Sequence, residues 1–270
     1  MRRFPRPGAL IQGALAALAL VGAAGTAMAE TPIELPGVRG VGLLAFGAGP
    51  QYIGADESVW LPVPAGTFAL GETRRVTVTG NYLNIDLLDH PNWSAGPAGV
   101  LRFGRGDVKD DEVAALPDID MSLDLGGFVA YEVVGADIRQ RRAVGLSVVQ
   151  DVTGAHGGFV ASAYARAWTP LGAFGALGMG AAVSYGSGDY MDSYFSVDAQ
   201  GAAASGLEVF SAGGGARDAR VFAIYVQPVS RSWAIGGGLI YGWLLDDAAA
   251  SPVVDSRGQL YAGVGIARIW

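Results

Sequence analysis

From Ile119 to Val133 the chain alternates, with Ile119, Met121, Leu123, Leu125, Val129, Tyr131 and Val133 on one parity and Asp120, Ser122, Asp124, Gly126, Phe128, Ala130 and Glu132 on the other. Period two places every apolar side chain on a single face of an extended strand. A second run, Ile138 to Asp151, sets Val144, Leu146 and Val148 against Ala143, Gly145 and Ser147. Pairing the two across a turn at 134–137 puts Leu125 opposite Leu146, Leu123 opposite Val148, Asp124 opposite Ser147 and Glu132 opposite Arg139. Face then matches face, and a slip of one residue would set apolar against polar.

The second face decides what surrounds the strands. A soluble sandwich or barrel needs a solvated exterior rich in Lys and Glu, yet the chain holds one lysine, Lys109, and the opposite face is often small: after Phe174 it continues Ala176, Gly178, Gly180, Ala182 and Ser184. Only 16% of residues are charged and 51% are hydrophobic, against roughly 25% charged in an average soluble domain. After the first segment no stretch reaches the about 18 consecutive apolar residues of a spanning helix. A closed sheet that shows lipid every second residue shelters this much apolar surface, and the small residues suit a narrow polar lumen. The expected fold is therefore an all-β, closed antiparallel transmembrane β-barrel.

The amino-terminal segment reads as export machinery: Arg2, Arg3 and Arg6 precede an apolar stretch from Gly8 to Ala24, and Ala27-Met28-Ala29 offers an A-x-A cleavage site. Residues 1–29 are expected to be removed between Ala29 and Glu30, leaving 30–270 as a single barrel domain. The mature chain then has 15 basic against 25 acidic residues, a balance that disfavours nucleic acid as a partner. Cysteine is absent, which excludes a disulfide scaffold, a thiolate-bound metal and a thiol nucleophile.

Reading back from the carboxyl terminus, strands are expected near 258–270, 232–244, 217–228, 173–185, 157–168, 138–151, 119–133, 97–105, 82–89, 73–79, 60–69 and 39–48. Twelve is an even number; ten is the alternative, because Pro62, Pro64 and the weak break at Gly80-Asn81 blur the early strands. Connectors such as Thr169 to Gly172 and Pro228 to Arg231 are short and assigned to the periplasm. Those from Gly106 to Asp118, Gly186 to Ala216 and Leu245 to Arg257 are long and assigned outside. The last strand carries Leu260, Ala262, Val264, Ile266 and Trp270 on one face and ends on an aromatic residue. It is similar to the carboxyl-terminal signal read by the barrel-assembly machinery, with Arg268 where an aromatic is more usual.

Candidate chemistry is sparse. His156 has Asp151 and Ser147 on the preceding strand, but a Ser–His–acid relay needs hydrogen-bond reach, and Ser147 lies too far down its strand; a polar residue in a glycine-rich hairpin is the plainer reading. His90 falls in a turn, Asp89-His90-Pro91-Asn92. No nucleophile elbow, metalloprotease helix or phosphate loop is present, so no catalytic, cofactor or metal residue is expected. Acidic residues crowd the long loops at Asp56, Glu57, Asp107, Asp110, Asp111, Glu112, Asp189, Asp192, Asp246 and Asp247. They read as solvated loops, with a cation-bridged contact to lipopolysaccharide as the functional alternative. In the lumen, Asp120, Asp124 and Glu132 are expected to face Arg139 and Arg141, with Arg102 nearby. They form either a charge constriction or, preferably, mutually neutralised pairs in a narrow, largely plugged barrel.

Several segments in order resemble one family. Gly49-Pro50-Gln51-Tyr52-Ile53-Gly54 followed by Pro62-Val63-Pro64 is similar to its opening motif, and Gly96-Pro97 through Gly104-Arg105 to its "GP…GR" strand. Gly154-Ala155-His156-Gly157-Gly158 resembles "GxHGG". Tyr190 to Val197 resembles "YMxSYFGV" with Ser196 for Gly, and Leu245 to Val253 resembles "LLGDAxxSPLV" with Asp246 for Gly. On these motifs the chain resembles the MipA/OmpV outer-membrane proteins. The resemblance implies a non-enzymatic barrel in the outer membrane of a Gram-negative bacterium, in contact with lipid and lipopolysaccharide. It would serve as a scaffold for murein hydrolase and murein synthase, with a small weakly selective pore as the alternative and an outer-rim hydrolase a distant third.

Overall fold

The computed structural model describes residues 40–70, 74–106 and 108–270. The signal segment, its cleavage point at Ala29 and Glu30, and Asp107 lie outside the described residues. Twelve antiparallel strands close into one barrel in which each neighbours the next and β1 pairs with β12. The first six are β1 (Gly40–Pro50), β2 (Ser58–Ala69), β3 (Arg75–Thr79), β4 (Tyr82–Asp86), β5 (Trp93–Arg102) and β6 (Ser122–Val134). The others are β7 (Arg141–Asp151), β8 (Phe159–Leu171), β9 (Gly175–Gly186), β10 (Gly215–Pro228), β11 (Trp233–Leu244) and β12 (Gly258–Ile269). Every expected strand is present, so the ten-strand alternative falls. No helix among the described residues is long and apolar enough to cross a membrane.

Parity sets inside from outside. Along β7 the burial alternates without a break from Arg141 to Asp151, and Val144, Leu146 and Val148 project outward while Ala143 and Ser147 are buried. The outward residues make a belt edged by aromatic pairs: Tyr241–Trp243, Phe159–Tyr185 and Phe46–Trp60 toward the long loops, Trp93–Tyr131 and Phe68–Trp270 toward the short turns. Apolar belts between aromatic girdles are what a bilayer requires of a barrel. Phe174, expected inside, is exposed in the turn before β9, because the strand starts one residue later.

The seam is closed by the last residue. Gly40 and Trp270 exchange backbone hydrogen bonds at 3.3 and 3.2 Å. A Cβ at Gly40 would stand 2.8 Å from the Trp270 ring. Glycine at the start of β1 therefore makes room for the aromatic end of β12. Leu260, Val264, Ile266 and Trp270 all face outward, as expected of that strand.

The interior differs from the expected polar lumen. An apolar cluster that includes Val41, Leu43, Trp168, Phe222, Ile224 and Ile269 fills the side bounded by β1 and β8–β12 at the turn end. A second, with Tyr82, Val100, Phe128 and Tyr164, fills the middle between β4 and β9. Small residues on one strand face large ones on its neighbour, as the Gly180 Cβ position, 2.4 Å from the Phe222 ring, records. The lumen is packed like a small-protein core, with polar residues along the remaining arc.

The β6–β7 hairpin departs from its expected register. Glu132 pairs with Ala143 and Asp124 with Asp151, a slide of four residues that keeps the faces matched. Parity fixes register only modulo two; the turn fixes the rest. Asp137 accepts from the Arg139 N–H at 2.9 Å and from its guanidinium at 2.7 Å, and Gln140 N donates to Asp137 O at 2.7 Å. The turn thus occupies 135–140 rather than 134–137.

Candidate functional site

The long connections fold inward at one end as a cap. It contains α1 (Asp111–Ala114), α2 (Gly188–Phe195), α3 (Ala199–Ser205) and α4 (Asp246–Ala250). The helix α2 is the plug: Tyr190, Met191 and Phe195 are fully buried and Tyr194 nearly so. Ser187 starts it, accepting from Tyr190 N at 3.4 Å and from Phe159 N at 2.9 Å. A side chain at Gly158 would collide with it, since its Cβ would lie 2.3 Å from Tyr190 N. The segments that carried the family resemblance meet here. Ser251 Oγ donates to Phe195 O at 2.6 Å, Arg105 Nη1 to Tyr194 O at 3.1 Å, and Tyr52 OH to Asp255 at 2.6 Å. Burial, reinforced by the Asp255 carboxylate, pushes the Tyr52 phenol above its ordinary range; burial and the neighbouring Tyr190 do the same to Tyr194. Both therefore stay protonated at neutral pH, and Tyr52 keeps the proton that it donates to Asp255.

Two motif departures are explained. Ser196 sits at φ −83°, a value open to any residue, and its hydroxyl accepts from Ala212 N at 2.9 Å. Asp246 holds φ +43°, the left-handed region that glycine occupies at little cost.

Beneath the plug lies a buried polar hub. Asp124 accepts from Arg102 Nε at 2.6 Å, Ser122 Oγ at 2.9 Å and His156 Nε2 at 3.1 Å. His156 Nδ1 accepts from Gly158 N at 3.2 Å, which assigns the proton to Nε2. The ring meets Tyr190 edge-on at 5.0 Å, and Tyr190 stacks on Tyr194 at 4.6 Å. Arg102 and Arg217 lie over Tyr190 at 5.1 and 5.2 Å.

Could this hub do chemistry? Both imidazole nitrogens are engaged, and Ser122 donates to the carboxylate instead of the ring. Ser147, the nucleophile weighed from sequence, has no hydrogen bond to His156 among the described residues. No nucleophile–base pair results. Asp124, Asp151 and His156 do bring potential ligand atoms within 4.8 Å of one another. Asp151, however, accepts from Thr153 N and Oγ1 and Gly154 N on one oxygen, and from His156 N and Gly157 N on the other, at 2.6–3.0 Å. Carboxylates saturated by N–H and O–H donors, with an imidazole already donating, are a structural knot and not an open cation cage. His156 is thus more than a hairpin residue: it ties its hairpin to β6 and to the plug. His90 is a turn residue as expected, its Nδ1 accepting from Asn92 N and Trp93 N at 3.1 and 3.0 Å.

The expected ring of lumen charges is split. Asp120 precedes β6 and is exposed, and Ile119, read as outward, is buried in a bridge with Arg105. Asp124 joins the hub at the cap. Glu132 pairs with Arg141, one of its two expected partners, and with Arg166 at 3.1 Å, toward the turn end. Arg139 leaves the lumen pairing altogether, bonding Asp137 in the turn and the Gly175 carbonyl at 3.1 Å. The four-residue register slide accounts for Arg139, which it moves from opposite Glu132 into the turn; Asp120 is lost from the lumen because β6 starts only at Ser122. Sequence reasoning missed a further group, Arg217–Asp218–Arg220, joined at 2.5 and 2.6 Å. A bulge between Ala216 and Asp218 lets adjacent Arg217 and Asp218 both turn inward. The only sequence signal was a charged run that broke parity.

The acidic loop residues divide similarly. Asp110 caps α1 by accepting from Val113 N at 2.8 Å, and Asp247 accepts from Gly213 N at 2.8 Å.

Among solved structures the chain is similar to an outer membrane channel from Pseudomonas putida F1, at 12% identity over 88% of this chain and 97% of that one, TM-score 0.43. It is also similar to OprB of Pseudomonas putida, at 12% identity over 79% and 59%, TM-score 0.35. A third likeness is to OmpT of Vibrio cholerae, at 6% identity over 86% and 97%, TM-score 0.37. No curated protein matches the sequence significantly. The model of MltA-interacting protein MipA matches residues 41–270, nearly all of the described barrel and every segment of the cap. The chain belongs to the MipA family.

Proposed function

We propose that this protein is an outer-membrane scaffold whose short turns face the periplasm and recruit murein-hydrolysing and murein-synthesising enzymes. The observation that carries this reading is the filled interior. With apolar clusters across the turn end and middle and α2 seated in the other mouth, the rims and outer wall are the surfaces left for interaction. The family name, MltA-interacting protein, points the same way. Affinity capture of the full chain from cross-linked cells tests it. A murein enzyme should co-purify and be lost when the turns at 87–92, 135–140 and 229–232 are replaced. Capture that survives those replacements, or yields no such enzyme, contradicts the scaffold.

A second reading, a small-solute pore, is favoured by one polar arc. Thr67, Thr77, Thr79 and Asn84 all face the interior of β2–β4, and the Thr67 and Thr77 hydroxyls lie 3.4 Å apart, a polar lining of the kind that an internal path for small solutes would need. Planar-bilayer recordings separate the two: no unitary steps under the scaffold, reproducible steps under the pore.

A further inference from the structure

The outer wall is not uniformly convex. Across β10, β11, β12 and β1 runs a groove of about 610 Å³ bordered by Leu44, Tyr225, Ile235, Val264 and Ile266. It shares Tyr225, Gly237 and Val264 with a second of about 440 Å³ that extends past Ala223, Leu239 and Ala262. Gly237 has the outward parity of Ile235 and Leu239, so a side chain is missing from the middle of the lipid-facing wall.

At the turn end this apolar channel meets a cation. Arg268 is the next outward residue of β12 after Ile266, about 7 Å along the strand, and its register partner is Trp233, the next outward residue of β11 below Ile235. The guanidinium lies 4.9 Å over the Trp233 ring. That contact orients the head and leaves its N–H donors unused among the described residues. An oriented guanidinium at an aromatic girdle, one step beyond an acyl-sized groove, can donate hydrogen bonds to a phosphate at headgroup depth.

We propose that Arg268 and the Gly237 groove form a binding site for one glycerophospholipid, its phosphate on Arg268 and an acyl chain along the groove. The choice of a glycerophospholipid over the phosphorylated sugar of lipopolysaccharide rests on the orientation given above, which turns this rim toward the periplasmic leaflet. The position in β12 where an aromatic was more expected thus receives a role.

Native mass spectrometry of the full chain in detergent, titrated with phosphatidylglycerol, reads the site directly. One saturable adduct is expected, reduced at least fivefold by Arg268→Ala and also by Ala223→Trp, which fills the second groove where the channel continues past Gly237. Arg142→Ala, which removes an exposed cation from the same rim on β7, should leave occupancy unchanged. If Ala223→Trp does not fold, Ala262→Phe occludes the same channel. Equal occupancy in all proteins, a loss confined to only one half of the site, or preference for lipid A over phosphatidylglycerol overturns the proposal. Binding in detergent is independent of orientation in the cell, so a failed titration leaves the scaffold standing and a failed capture leaves the titration standing.

Discussion

Replacing Asp124 by asparagine should loosen the cap without opening the barrel. The carboxylate holds three donors, Arg102, Ser122 and His156, at 2.6, 2.9 and 3.1 Å, in a site with no solvent exposure. Asparagine keeps one acceptor, turns the other into a donor and leaves Arg102 as a buried uncompensated cation. Breaking a buried pair in this way costs about 3–5 kcal/mol. The asparagine Oδ1 can still accept from Arg102, which recovers about 1–2 kcal/mol of that. A net loss of about 2–3 kcal/mol falls on the contacts that seat α2, whereas the strand ladders do not depend on Asp124. Chymotrypsin cleavage at Tyr190, Tyr194 or Phe195, measured in micelles under conditions where opening is fast relative to cutting, follows the population of the unseated cap. Cleavage should accelerate about 30- to 150-fold at 1.4 kcal/mol per decade. Arg102→Met combined with Asp124→Leu should recover part of the protection, because the pair is replaced as a unit. Cleavage of the asparagine variant within threefold of the wild-type rate would refute the reasoning.

Asp246→Gly should raise the denaturation midpoint by the equivalent of about 0.5 kcal/mol, since φ +43° costs glycine less than aspartate; a marked loss would show that the Asp246 carboxylate matters more than its backbone. The Arg139 guanidinium and N–H hold Asp137 below its ordinary 3.8. The turn is therefore stabilised above the unfolded value and loses that contribution as pH falls through the lower folded one. The Arg139 amide shift should titrate with a midpoint under 3.8, and a midpoint at or above it contradicts the contact. His156→Ala should leave any esterase or protease activity of the purified protein unchanged while making α2 more susceptible to protease; abolition of an activity present in the wild type would restore the hydrolase reading.

Strand number and facing were legible because lipid on one side imposes a strict parity on each strand, and β7 obeys it at every position. Register was legible only to within an even number of residues, since the information resides in the Asp137–Arg139 turn and not in the alternating pattern. A largely plugged barrel was legible from the strand count, but its apolar filling was hidden by a symmetric ambiguity: small residues such as Gly180 suit a narrow channel and equally suit a core in which Phe222 fills the space opposite. The hub was partly visible, as His156, Asp124 and Arg102 were each singled out. Their meeting depends on long-range pairing of β5, β6 and the 152–158 hairpin, which no local pattern encodes. Arg217 and Asp218 escaped because a bulge suspends the rule used to find inward residues.

Single cysteines placed along β7 test the barrel and its filled interior together, because the natural sequence contains none. Spin labels at Val144, Leu146 and Val148 should collide with lipid-dissolved oxygen. Cysteines at Ala143 and Ser147 should resist both membrane-permeant and water-soluble thiol reagents in the folded protein. Loss of the two-residue periodicity would contradict the membrane-facing wall, and rapid water-soluble labelling at Ser147 would contradict the packed lumen.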